Sequence, residues 1–319
     1  MNGIRLTHAS LHNPDYIAAL GLRIGAKITV YKAAEIIPQV GQMLEPGNGD
    51  PVAIATVCPA CGEELHKEGA DLMCNNAQCI GRLEAWLCYF GSRPNMYING
   101  LGESVVKQLV SQGLCKDPAD LYTLTREQLL KLDGFSDKKA DSLLEAISDS
   151  KSRPYYRVLS ALGIDLLGAS TAYDLAVKFP TMERLLKATI GELMTVPGIA
   201  LRTATAVYGS LHKTPMTELI RRLGEYGLQM GLEQSGTPQT LAGLTICITG
   251  SLSKERDDYK DEIQAHGGKF VNSVSSKTSY LVVGENVGET KLNKARKLKV
   301  PMLSEAQLQE MINGRKSED

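Results

Sequence analysis

The chain has 319 residues, 43% of them hydrophobic, with 35 Lys plus Arg against 36 Asp plus Glu and a formal net charge of −1. That length allows two or three cores of roughly 100–150 residues each, while the even charge excludes a general attraction to polyanions, so any nucleic-acid partner must be argued from local features. No apolar run approaches the roughly 18 residues of a membrane span, and Met1-Asn2-Gly3-Ile4-Arg5 lacks a signal-peptide core, so a cytoplasmic location with no membrane partner is expected.

Residues 1–50 read as short β-segments joined by turns: Arg23-Ile24-Gly25-Ala26 leads into Lys27-Ile28-Thr29-Val30-Tyr31, and Ile36-Ile37-Pro38-Gln39-Val40 follows. Such a stretch is too short to close a barrel and implies a partial sheet completed by strands from elsewhere.

Residues 51–82 form the next module, with four of the seven cysteines in the pattern C-x2-C-x12-C-x4-C at Cys58, Cys61, Cys74 and Cys79. Clustering of this kind in a cytosolic chain favours metal over disulfides. Four thiolates fill a tetrahedral Zn2+ shell, leaving no position for water or substrate, so the metal is expected to be structural. His66 lies in the loop as a rival ligand, and Cys88, Cys115 and Cys247 are expected to be small buried hydrophobes.

Residues 83–234 are expected to be helical and to repeat glycine hairpins at Gly100, Gly134, Gly168 and Gly198, at steps of 34, 34 and 30 residues. The units are Ile98-Asn99-Gly100-Leu101-Gly102, Leu132-Asp133-Gly134-Phe135-Ser136, Leu162-Gly163-Ile164-Asp165-Leu166-Leu167-Gly168 and Val196-Pro197-Gly198-Ile199-Ala200, each feeding a helix. A helix entered through a glycine turn offers unpaired N–H groups and a positive dipole end, which together bind a phosphate without a basic side chain. Helix-hairpin-helix binding of duplex DNA is the expectation, and it fixes position without reading sequence. The contact residues would be Gly100, Gly102, Gly134, Gly163, Gly168 and Gly198, with Lys138 and Arg202 compensating where Ser136 and Ala200 replace the second glycine. Thr125-Arg126-Glu127-Gln128 reads as a capping box.

After the linker Gln234-Ser235-Gly236-Thr237-Pro238, residues 238–315 alternate strand and helix, implying a parallel sheet with helices on its faces. Leu244–Gly250, Lys269–Val271 and Tyr280–Gly284 are strand-like, and Ser304 with Gln307 caps a final helix. Thr249, Gly250 and Lys291 could form a phosphate pocket, whereas Asp257-Asp258 and Asp261-Glu262 read as one solvated helix face rather than a nuclease metal cluster.

The order of partial sheet, four-cysteine module, hairpin run and terminal α/β domain resembles the NAD-dependent DNA ligase family downstream of its nucleotidyltransferase domain. The residues that carry the resemblance include Ala9-Ser10-Leu11-His12-Asn13 and Lys32-Ala33-Ala34-Glu35-Ile36-Ile37-Pro38. Thr249-Gly250-Ser251-Leu252, His266-Gly267-Gly268-Lys269 and Thr278-Ser279-Tyr280-Leu281-Val282 add a BRCT-like pattern. The resemblance implies a multidomain α+β chain of partial OB-fold β-barrel, four-cysteine zinc module, helical helix-hairpin-helix domain and small α/β BRCT-like domain. It also implies a role in joining nicked double-stranded DNA during replication and repair. His8, Tyr31 and Ala34-Glu35 depart from the family's usual residues, and no DNA contact is assigned to them.

The family's Lys-x-Asp-Gly motif, whose lysine takes AMP from NAD, belongs to the upstream domain. No catalytic residue and no self-adenylation are therefore expected here: NAD would be used by the complete ligase but not bound by this chain. The chain would be the DNA-binding subunit or the C-terminal part of such a ligase, with the adenylation lysine on another chain or a missing segment; as the second subunit of a two-chain ligase of phage type, in a bacterial or host cytoplasm, it would form a heterodimer with a chain that carries the adenylation domain. The alternative is a non-catalytic DNA-binding scaffold in repair.

Overall fold

The computed structural model describes residues 6–33, 37–232 and 238–314. Ala34, Glu35 and Ile36 of the ligase-like segment, and Gln234–Thr237 of the linker, lie outside them. The chain forms two compact units, residues 1–86 and 87–319.

In the first unit Asn13 caps a helix, α1 (Pro14–Leu20), its side chain accepting from the Tyr16 amide at 2.8 Å. Here the all-β expectation for residues 1–50 is corrected. The helix signals are Asn13 as N-cap, Pro14 in the first turn and Gly21 past the end at φ 57°. Strands β1 (Lys27–Ala33) and β2 (Ile37–Glu45) pair antiparallel. Ser10 joins β2 through bonds to Pro38 and Val40, and the Tyr16 hydroxyl donates to the Val40 carbonyl at 2.8 Å. The cysteine module adds a hairpin of β3 (Leu65–Glu68) and β4 (Asp71–Cys74). Helix α2 (Ile80–Phe90) follows Cys79 directly.

The second unit begins with two tandem helical halves. The first consists of α3 (Glu103–Ser111), a 3-10 turn (Pro118–Thr123), α4 (Arg126–Leu129) and α5 (Asp137–Ser150). After α6 (Tyr155–Ala161), the second repeats that order with α7 (Ala169–Lys178), α8 (Met182–Leu186), α9 (Ile190–Leu193) and α10 (Leu201–Leu211). Both α4 and α9 open with a capping box, Thr125 with Gln128 and Thr189 with Glu192. Leu109, Leu129, Leu143, Leu175, Leu193 and Val207 are fully or almost fully buried, so each short helix is held by apolar burial rather than by its own length. Helix α11 (Thr214–Glu225) returns Arg222 to the first half, where it pairs with Asp117 and Asp120 at 2.6 and 2.5 Å.

The terminal part has four parallel strands in the order β6-β5-β7-β8: β5 (Thr245–Thr249), β6 (Lys269–Val271), β7 (Tyr280–Val283) and β8 (Met302–Leu303). The helices are α12 (Arg256–Ala265), α13 (Glu289–Leu298) and α14 (Glu305–Ile312), the last with the expected Ser304–Gln307 capping box. Alternation along β5 sends Ile246 and Ile248 to a core shared with Tyr259, Ile263 and Leu308, and Cys247 to one shared with Leu281 and Ala295. The sheet is therefore covered on both faces, as a parallel sheet requires.

The acidic run on α12 is not a solvated face. Asp261 is only 17% exposed and pairs at 2.9 Å with Arg157 of α6, which is fully buried. Arg157 also donates to the carbonyls of Arg93 and Asn95 at 2.8 and 3.1 Å, and the Tyr156 hydroxyl donates to Asp261. Arg93 meets Glu255 and Asp257, Lys269 pairs with Asp174 at 3.1 Å, and the Tyr173 hydroxyl donates to the Gly268 carbonyl. The sheet domain is thus fixed to the helical tandem by a charged joint around a buried guanidinium.

Candidate metal centre and nucleic-acid interface

The amides and carbonyls of Cys58–Glu63 form a knuckle: the Gly62 amide donates to the Cys58 carbonyl at 2.8 Å, and the Cys58 amide to the Glu63 carbonyl at 2.7 Å. This turn and the β3–β4 hairpin bring all four sulfurs within 4.8 Å of one another. Cys58 lies 3.8 Å from Cys79, and Cys61 lies 3.6 Å from Cys74. A tetrahedron with metal–sulfur bonds of about 2.3 Å has edges of about 3.8 Å, so the spacing fits a four-thiolate metal shell. His66 is exposed on β3 and outside that cluster.

The thiols are unequal. The amides of Ala60 and Cys61 hold Cys58 down to about 7. Cys74 receives a lowering bond from the Asn76 amide, yet burial and the neighbouring sulfurs push it up to about 12. Of the single cysteines, Cys115 and Cys247 are buried as expected, while Cys88 is only partly so.

The four hairpins match residue by residue in backbone conformation, and the match corrects the register read from sequence. The left-handed position is held by Gly100 (φ 89°), Gly134 (73°), Leu166 (65°) and Gly198 (83°). The extended N-cap two residues later is Gly102 (φ −89°), Ser136 (−107°), Gly168 (−81°) and Ala200 (−87°). Gly168 is therefore the partner of Gly102, not of Gly100, and the true steps are 34, 32 and 32 residues. Gly163 sits outside the turn, just past the end of α6.

Conformation does not require glycine at the N-cap, because Ala200 adopts the same extended angles as Gly102 and Gly168. What glycine adds there is room. Gly102, Gly168 and Ala200 make no side-chain cap, whereas the Ser136 hydroxyl accepts from the Lys139 amide at 3.4 Å and closes its own helix end. The second residue of each following helix is Ser104, Lys138, Ser170 and Arg202, so a cation stands in the two hairpins that lack the second glycine.

Thr249 ends β5 and Gly250 follows it, and Lys291 of α13 reaches the same strand end, its ammonium donating to the Ile248 carbonyl at 3.0 Å. The fold therefore brings the three together. Gly250 also has a packing reason, since a Cβ there would lie 2.5 Å from the Glu285 carbonyl oxygen, and Thr249 is only 5% exposed. Arg256, missed in the sequence, donates to the Gly250 carbonyl and lines an adjoining cleft of about 330 Å³ with Ser251 and Lys254.

Residues 1–49 match the family model of the NAD-dependent DNA ligase OB-fold domain. The helical halves match a SAM-like helix-hairpin-helix tandem over residues 97–149 and a helix-hairpin-helix motif over residues 157–220. Residues 236–312 match the BRCA1 C Terminus (BRCT) domain. Among curated relatives, "DNA ligase 2" of Deinococcus deserti is 39% identical over 99% of this chain, and "DNA ligase" of Methylacidiphilum infernorum 39% over 98%. Over almost its whole length the chain is therefore similar to proteins named DNA ligase, and its first 49 residues are similar to the OB-fold domain of the NAD-dependent ones. It spans about half the length of these relatives, 46% of each. A crystal structure of Rad4 BRCT1,2 with a Crb2 phosphopeptide is 25% identical over 24% of this chain and 41% of that one, at a TM-score of 0.22, too slight a likeness to argue from.

The ligase signature Lys-x-Asp-Gly does occur in these residues, as Lys131-Leu132-Asp133-Gly134. It is the second hairpin: Leu132 is 3% exposed, Gly134 takes φ 73°, and the Asp133 amide donates to Gln108 of α3 at 2.6 Å. Those letters serve a turn. Among the described residues, no helix is long and apolar enough to cross a membrane.

Proposed function

We propose that this chain is the DNA-gripping portion of an NAD-dependent DNA ligase, holding nicked duplex DNA while nucleotidyl transfer is performed by a domain outside these residues. The observation that carries the reading is the union of a ligase-type OB-fold match with four equivalent turns, three of which leave their helix N-caps free of side-chain bonds. Gly100, Gly102, Gly134, Gly168 and Gly198 let the backbone approach phosphates, and Lys138 and Arg202 add charge where the second glycine is replaced. Gly163 has no place in that contact. Held on both sides of a nick, the 3′ hydroxyl and 5′ phosphate stay in line for displacement.

The metal is Zn2+, held by Cys58, Cys61, Cys74 and Cys79; when bound it supplies a structural crosslink and no chemistry. Thr249, Gly250 and Lys291, with Arg256, form an anion pocket at the end of β5, tested by deleting residues 238–319 and measuring affinity for nicked DNA. The partner is a chain carrying the adenylation domain. The deciding experiment is sealing of nicked DNA with NAD by this chain, alone and mixed with a ligase adenylation domain: sealing only in the mixture supports the reading. Tight nick binding without sealing in either arm would instead favour the scaffold reading.

A further inference from the structure

We propose that Leu166 is a wedge by which the third hairpin packs into the minor groove of duplex DNA, its side chain lying against the sugar faces while the adjacent helix amides meet phosphate. The inference rests on the hairpin reading above and adds to it a residue whose contact is apolar.

The argument comes from the internal repeat. Three of the four equivalent turns use glycine at the left-handed position, at φ 89°, 73° and 83°, and the third uses Leu166 at φ 65°. A Cβ in that region clashes with the following carbonyl, so leucine there is strained where glycine is not. A core contact would offset such strain, but Leu166 is 50% exposed. Strain kept at an exposed position points to function.

The contrast extends to the first residue of each following helix. The first pair of hairpins carries Glu103 and Asp137 there, and the second pair carries Ala169 and Leu201, the latter 60% exposed. The second pair has thus replaced one glycine and two carboxylates by apolar groups. Phosphates offer an apolar tip nothing. The deoxyribose faces and base edges of the minor groove do, and apolar side chains at such tips widen and bend duplexes.

The test is a salt series of nicked-duplex affinity for the full chain and for Leu166→Asn and Leu166→Gly, both of which accept the left-handed backbone. The expected result is roughly tenfold weaker binding at every salt concentration with an unchanged salt slope, because the lost contact releases no counterion. Leu166→Gly should melt no lower than the parent. Parental affinity in both variants overturns the wedge while leaving the phosphate reading intact, and early unfolding of both assigns Leu166 a structural role instead. A parent chain that fails to bind nicked duplex at all removes the hairpin reading itself.

Discussion

The two units solve the stability problem differently. Among the described residues of the first, the buried apolar side chains are Leu22, Val40, Cys58 and Cys79, two of them metal-site cysteines. The second buries side chains from every helix of the tandem and both faces of a parallel sheet. A unit with so small a core suits a metal staple, and its four sulfurs are spaced to hold one. A unit with a large core can instead accommodate a buried guanidinium.

The strongest challenge to this contrast is removal of the metal. Chelation, or Cys74→Ser, should abolish amide-exchange protection across residues 58–79 while α5, α7 and α10 keep theirs, with joining by the assembled enzyme falling in parallel. Retained protection in a metal-free sample would show that the first unit stands without its staple.

Next in size is Arg157→Met, which strands Asp261 in a nearly closed site and should cost about 3–5 kcal/mol in the second unit. Thermal unfolding followed in residues 87–319 reads it. Arg157→Met with Asp261→Leu should recover most of the loss, because an apolar pair of similar volume replaces the ion pair. A double variant as unstable as the single one would mean the joint depends on its hydrogen bonds to the Arg93 and Asn95 carbonyls.

A smaller effect, on binding alone, is expected from Lys138→Ala and Arg202→Ala. Each should lower the magnitude of the log-affinity against log-salt slope by about 1. The smallest belongs to Ala200→Gly, which trades one methyl for room at a helix end. Nick affinity should rise by no more than about twofold, within the roughly ±0.5 kcal/mol of an uncrowded surface change, and a fall would mean that the methyl makes a contact of its own.

Several features are legible because local chemistry dictates them. The cysteine spacing, the capping boxes at Thr125 and Ser304, and the strands around Ile246–Ile248 and Leu281–Val282 follow from ligand geometry, helix-end hydrogen bonding and β-branched alternation. The third hairpin reads two residues out of register because its left-handed position holds leucine, a residue whose identity carries no turn signal. Helix α1 escapes notice despite Asn13-Pro14, since residues 14–20 bury no side chain and so show no apolar periodicity.

The sequence by itself therefore determined the four-cysteine cluster, the turn-and-helix repeat and the parallel sheet, all set by interactions spanning a few residues. Only the tertiary structure decided that the acids of α12 are a joint rather than a solvated face. That pairing joins Arg157 to Asp261 across 104 residues of chain, and burial, not local propensity, selects it.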